Sequence, residues 1–113
     1  MEELFSKTCE PCKAGALRLN DQEVEELLKQ VPGWAVIEVD KVPRLQKAYL
    51  FKNFKQALAF TNKIGEVAEQ HGHHPVLVTE WGKVSVSWWT HKIGGLHKND
   101  FIMAAKSDAL FEP

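Results

Sequence analysis

The sequence is poor in the features that would commit it to several large classes of function. No apolar run approaches the ~18 residues a membrane-spanning helix needs, which excludes a helical span on pattern. Net charge is only −1, so no basic field points to nucleic acid or an anionic membrane. Internal repeats, low-complexity tracts and Gly/Ser linkers are all lacking. The opening MEELFSKTCEPCK begins with acids and has neither a basic nor an apolar signal region, so the expected compartment is the cytoplasm. There are only 2 cysteines, Cys9 and Cys12, in C-E-P-C. They make half of a four-ligand zinc site. A redox C-x-x-C usually opens a helix after a strand, whereas Pro11 and Gly15 mark a loop. The expected state is a reduced pair in an arm. Two arms of an oligomer completing a zinc site, or a local disulfide, are the lesser readings.

What remains is an ordinary globular chain. Its 113 residues suit one domain, and 44% hydrophobic against 26% charged residues can build a single core. Residues 1–19 read as an irregular arm and 20–113 as the domain. Asn20 or Asp21 caps a first helix to about Gln30, stopped by Pro32-Gly33. Trp34 to Val39 reads as a strand, D-K-V-P as a turn, and Leu45 to Lys52 as the partner strand. Asn53 caps a longer helix with Phe54, Ala57, Leu58, Thr61, Ile64 and Ala68 on one face. It runs to about Gln70 or His71, where Gly72 supplies a left-handed end. Val76 to Trp81 and Val84 to His91 form a second hairpin around Gly82-Lys83. A last helix covers Lys98 to Leu110, burying Phe101, Ile102, Ala105 and Leu110. The order α-β-β-α-β-β-α predicts an α+β fold, a four-stranded antiparallel sheet covered on one face by helices. Trp89 falls on the uncovered face, which predicts a homodimer or a dimer of dimers.

The densest chemistry is E-Q-H-G-H-H-P, residues 69–75, holding three of the 5 histidines. One reading is a helix end whose dipole favours imidazolium, which suits His71 but not His73-His74 before a helix-breaking Pro75. A second is a metal site, with His71 and His73 or His74, completed by His91 or Asp100. No established ligand motif such as H-E-x-x-H supports it. The third is acid–base catalysis, since imidazole both donates and accepts protons near neutral pH. His91, at the end of the last strand, joins it. Glu69 and Asp100 are carboxylates able to orient a ring or bind polar N–H groups, and Trp81 can wall a flat ligand. No serine or cysteine nucleophile is paired with a base.

Glu69, His73-His74-Pro75, Trp81, His91 and Asp100, separated by three, five, nine and eight residues, resemble the signature of pterin-4a-carbinolamine dehydratases. G-G-L-H-K-N-D-F, residues 94–101, and the E-W-G-K hairpin are similar to bacterial members, and the likeness runs from about Leu19 to the end. It implies dehydration of 4a-hydroxytetrahydrobiopterin to quinonoid dihydropterin. That reaction recycles the pterin of aromatic amino acid hydroxylases and implies a link to phenylalanine hydroxylase. It needs neither metal nor organic cofactor. His73 and His91 are then the proton-transfer pair, with His74 supporting them and binding pterin. Glu69 and Asp100 orient these groups or anchor the pterin N–H edge, and Trp81 either binds ligand or packs on the sheet. Trp88 and Trp89 are expected in core and interface. The chain departs from animal members at Gly72 and at Leu77, where an aromatic is common. At His97 a small hydroxyl usually caps the last helix, so capping is expected to be weaker or to move to Asn99. The alternatives are a non-catalytic dimerisation or regulatory partner, as animal members are for a homeodomain transcription factor, or a role in another pterin or molybdopterin pathway.

Overall fold

The computed structural model describes residues 19–111. The expected arm up to residue 18, with Cys9 and Cys12, lies outside the described residues. The elements are α1 (Asp21–Leu28), β1 (Ala35–Val39), β2 (Val42–Leu50), α2 (Phe54–His71), β3 (Val76–Glu80), β4 (Lys83–Trp88), a 3-10 turn (His91–Ile93) and α3 (Lys98–Leu110). The α+β class and the element order agree with the sequence reading. Helix α1 starts at a reciprocal capping box, in which Asn20 Oδ1 accepts from the Glu23 N–H at 2.8 Å and Glu23 accepts from the Asn20 N–H at 3.0 Å.

All strand pairs are antiparallel, and the sheet order is β1-β2-β4-β3. The two hairpins therefore join through their second strands, and β1 and β3 form the edges. The first turn is tighter than expected. Asp40 and Lys41 alone make it, both left-handed at φ 51° and 66°, as a two-residue hairpin twisted to match its strands requires. Pro43 consequently falls inside β2. It precedes Leu45, where pairing with β4 begins, so its missing N–H forfeits no bond to β4.

One face of the sheet is the core. Leu45, Val84, Val86 and Trp88 are fully buried there against Ala57, Phe60, Ile64 and Ala68 of α2 and Phe101, Ile102 and Ala104 of α3. Each such large side chain contributes ~1.5–3 kcal/mol relative to exposure. The buried row of α2 differs from the expected one. Phe60 replaces Phe54 and Leu58, which are 45% and 43% exposed, because residues 57, 60, 64 and 68 follow the helical repeat toward the sheet more closely. The end of α3 is docked by Asp108, which accepts from Trp34 Nε1 at 3.1 Å, Lys47 Nζ at 2.9 Å and Tyr49 Oη at 2.5 Å. Burial, with Asp108 adding to it, pushes the Tyr49 phenol far above its ordinary value and keeps it a donor.

Candidate active site

The site begins where α2 stops. Gly72 sits at φ 61° and ψ 29°, and its N–H bonds the carbonyls of Ala68 and Glu69. The His73 N–H returns to the Ala68 carbonyl at 3.2 Å, completing a glycine-based helix end of the kind the sequence signals. Reversal through Gly72 throws His73 back over the helix terminus, and Pro75 keeps His74 extended. Strand β3 then starts at Val76 and pairs with β4, Val76 facing Ser87. That register sets His73 and His74 at the same end of the ladder as Trp88, Trp89 and Thr90.

His73 is buried, at 8% exposure, and Asp100 has no exposed surface. Nε2 of His73 lies 2.6 Å from Oδ1 of Asp100. The other oxygen, Oδ2, accepts from Thr90 Oγ1 and from the His97 N–H, both at 2.9 Å. A carboxylate only accepts, so Nε2 carries the proton and a neutral His73 ring holds its lone pair at Nδ1. The flat face of the imidazole lies parallel to the Trp88 indole, 5.8 Å between centroids and 6° between planes. The carboxylate thus fixes the edge of the ring and the tryptophan fixes its face.

His97 departs from expectation. Capping neither weakens nor moves to Asn99. His97 itself is the N-cap of α3, its Nδ1 accepting from the Asn99 N–H at 3.1 Å, and Asp100 closes the reciprocal half of the box. An imidazole nitrogen has the lone pair that a hydroxyl would have supplied. Asp100 therefore serves helix and histidine together. Thr90 and His97 as its partners escaped the sequence reading; the signal was the three-residue spacing from His97 to Asp100, disguised by an uncommon capping residue.

His74 pairs with Glu69 one turn back, Nε2 to Oε1 at 2.5 Å, both side chains largely in solvent. An open groove beside Glu69 runs between α2 and β3, lined also by Gly65, Glu66, Gln70 and Leu77. His91, expected at the end of the last strand, lies beyond it, because β4 ends at Trp88. Thr90 instead bridges Gly95, its N–H reaching the Gly95 carbonyl at 2.9 Å, and His91 opens the 3-10 turn that this bridge closes. Its ring is stacked on Trp89 at 4.4 Å and 11°. Trp89, expected as an exposed oligomer contact, is only 9% exposed, because Arg44 and His91 cover it. Trp81 lies apart. It follows β3 at the far end, 71% exposed, and the seven extended steps from His74 to Trp81 span roughly 24 Å at ~3.4 Å per residue. Within one chain Trp81 does not reach the histidines.

His71, in the last turn of α2, has its pKa lowered below 6.5 by burial, with Lys106 and His73 also opposing its charge. The metal reading finds no assembled site: among the described residues no three His, Cys, Asp or Glu side chains are grouped to hold an ion. No helix among them is long and apolar enough to cross a membrane.

The same segments align with known proteins. The family described as pterin 4 alpha carbinolamine dehydratase matches residues 17–110. A relative from Microcystis aeruginosa, provisionally named a pterin-4-alpha-carbinolamine dehydratase, is 52% identical over 98% of this chain and 96% of its own length. Another from Nitrosococcus oceani, with the same provisional name, is 55% identical over 99% of each chain. A crystal structure described as a transcriptional coactivator/pterin dehydratase from Brucella melitensis superposes with a TM-score of 0.75 and 31% identity, covering 83% of this chain and 98% of that one. A pterin dehydratase-like protein described as a RuBisCO assembly factor in the alpha-carboxysome shares the fold, at 24% identity and a TM-score of 0.59 over 70% of this chain and 89% of that one. A match that spans α1 to α3 and takes in every histidine of the cluster leaves one assignment: the chain belongs to the pterin-4-alpha-carbinolamine dehydratase family.

Proposed function

We propose that the protein dehydrates 4a-hydroxytetrahydropterin to the quinonoid dihydropterin by histidine acid–base catalysis. The observation that carries this reading is the buried His73–Asp100 pair at 2.6 Å. The C4a–O bond breaks as the N5 lone pair forms a C4a=N5 double bond. One proton goes to the departing oxygen to make water, and the N5 proton goes to a base. Nothing is oxidised or reduced. His73 and His91 are the proton-transfer pair in this account. Asp100 acts by orienting His73, since its oxygens are occupied by His73, Thr90 and His97. Exposed His74, polarised by Glu69, supports pterin binding and proton exchange with water. Positioned acid–base groups supply ~10²–10⁴-fold each, ample for a step that the N5 lone pair already assists.

The physiological setting follows from the family resemblance. The substrate is the biopterin carbinolamine left by an aromatic amino acid hydroxylase such as phenylalanine hydroxylase, in the cytoplasm. Copies associate as a homodimer or dimer of dimers, for which exposed Val76 and Val78 on edge strand β3 are the apolar surface offered. A regulatory binding role is the second reading, favoured by the coactivator description of the Brucella protein, 31% identical to this chain. Stopped-flow mixing of chemically generated 4a-hydroxytetrahydrobiopterin with the protein separates the two. Catalytic acceleration at substoichiometric protein is expected; a rate equal to the spontaneous one would leave only the binding role.

A further inference from the structure

The three histidines are not held alike. His73 and His74 are each held at the ring edge by a carboxylate. His91 is exposed, stands at the start of a turn, and is instead held by its face, on Trp89 at 4.4 Å and 11°. The same indole carries a second flat group, Arg44, whose Cζ lies 3.8 Å from the ring centroid. Two planar groups this near one centroid would overlap if they shared a face, so the indole stands between them. We propose that Arg44 and Trp89 are positioning residues for the dehydration, a stack that sets the plane of His91 while leaving its nitrogen edge open to substrate. The proposal rests on the reading of His91 as a proton-transfer group.

Strand geometry makes the arrangement available. Strand β4 ends at Trp88, which is fully buried, and Trp89 is the first residue beyond it. Trp88 takes the ring of His73, and Trp89 takes the ring of His91, so consecutive tryptophans carry the two imidazoles. Arg44 reaches Trp89 because Leu45 pairs with Trp88, and continuing that antiparallel register by one residue sets Arg44 directly across from Trp89. An indole is the strongest aromatic partner for a cation, and a guanidinium can lie flat on it where an ammonium cannot. The Nε atom of Arg44 is buried and makes no hydrogen bond. Contact with the indole face, not a hydrogen bond from Nε, therefore accounts for the placement of that end of the guanidinium. Without the stack, an exposed histidine on a turn would rotate among several rotamers, and a misplacement of ~1 Å at a reacting proton can cost about 10²-fold in rate.

The test uses the full chain with Trp89→Leu, Trp89→Phe, Arg44→Met and Arg44→Lys. In ¹H–¹³C spectra the ring signals of His91 should be shifted upfield by the indole in the wild type and should move to ordinary positions in Trp89→Leu. His73 signals, which report Trp88, should stay in place and show that the fold is kept. In the stopped-flow assay Trp89→Leu should lower kcat by roughly tenfold to hundredfold with KM changed by less than about twofold. Trp89→Phe should restore most of kcat, since a ring face is restored. Arg44→Met should lower kcat by about threefold or more, and Arg44→Lys should not restore it. Unchanged kcat in Trp89→Leu, with the His91 shift abolished, overturns the proposal while leaving the dehydratase reading intact. A wild type that does not accelerate dehydration defeats the functional reading instead. The spectra then still decide whether the stack exists, and ordinary His91 shifts in the wild type would overturn it as well.

Discussion

Replacing Asp100 by Asn probes the most heavily used group in the site. Asp100 accepts three hydrogen bonds, one at Oδ1 from His73 and two at Oδ2 from Thr90 and His97. Asparagine keeps the volume but offers one acceptor oxygen and one donor amide. The arrangement that saves most bonds puts the oxygen toward Thr90 and His97 and the amide toward His73. Nε2 of His73 must then accept, and the ring proton moves to Nδ1. Both bonds made at Oδ2 survive and the bond to His73 becomes a neutral one, so unfolding free energy should fall by no more than one charged hydrogen bond contributes, ~1.5–3 kcal/mol. The same loss applied to the reacting geometry lowers kcat by about 10- to 150-fold, at 1.36 kcal/mol per factor of ten. Asp100→Ala differs, because it strands a buried imidazole and removes the cap, and should cost ~3–5 kcal/mol. The assays are urea unfolding, ¹⁵N spectra of the His73 ring and stopped-flow dehydration. An Asp100→Asn protein with the ring proton on Nδ1 and an unchanged kcat would refute the claim that Asp100 works by fixing the His73 tautomer.

Further outcomes follow from the same geometry. Gly72→Ala meets no atom within 4 Å, so its cost comes from the left-handed backbone alone; a loss of ~1–2 kcal/mol is expected by chemical denaturation, with kcat falling too because His73 is the next residue. Tyr49→Phe leaves Asp108 its bonds to Trp34 and Lys47 and removes one charged hydrogen bond, so urea melts should show a loss of ~1.5–3 kcal/mol with kcat unaltered. His71 has a folded-state pKa below its ordinary 6.5, so the unfolded chain takes up the proton more readily. Stability should therefore be intact above pH 6.5 and decline as pH falls through that value toward the folded pKa. In His71→Gln this part of the decline should vanish, as measured by denaturation midpoints from pH 5 to 8.

The local punctuation of this chain was legible because single residues dictate it. Asn53 and Gly72 mark helix ends through a side-chain oxygen and a missing Cβ, and the structure uses both as read; of the alternatives Asn20 and Asp21 for the first cap, it uses Asn20. Periodicity likewise located the strands Val76–Glu80 and Lys83–Trp88 to within a few residues. What pattern could not reveal was long-range pairing. Nothing local says that β2 lies beside β4, and that register is what brings Arg44 to Trp89. Phe60 was missed because Phe54 and Leu58 are equally apolar, and only the direction of the sheet decides which row is buried. His97 was misread because its cap uses a ring nitrogen. Trp81 sits near the histidines in sequence but at the opposite end of an extended strand, where each residue adds ~3.4 Å.

The most direct measurement is single-turnover dehydration of 4a-hydroxytetrahydrobiopterin by the wild type, His73→Ala and His91→Ala, each shown to be folded by its near-ultraviolet circular dichroism. The account predicts that each variant loses about 10²-fold or more of the acceleration over the spontaneous rate. Variants that stay folded and dehydrate the carbinolamine as fast as the wild type would contradict it.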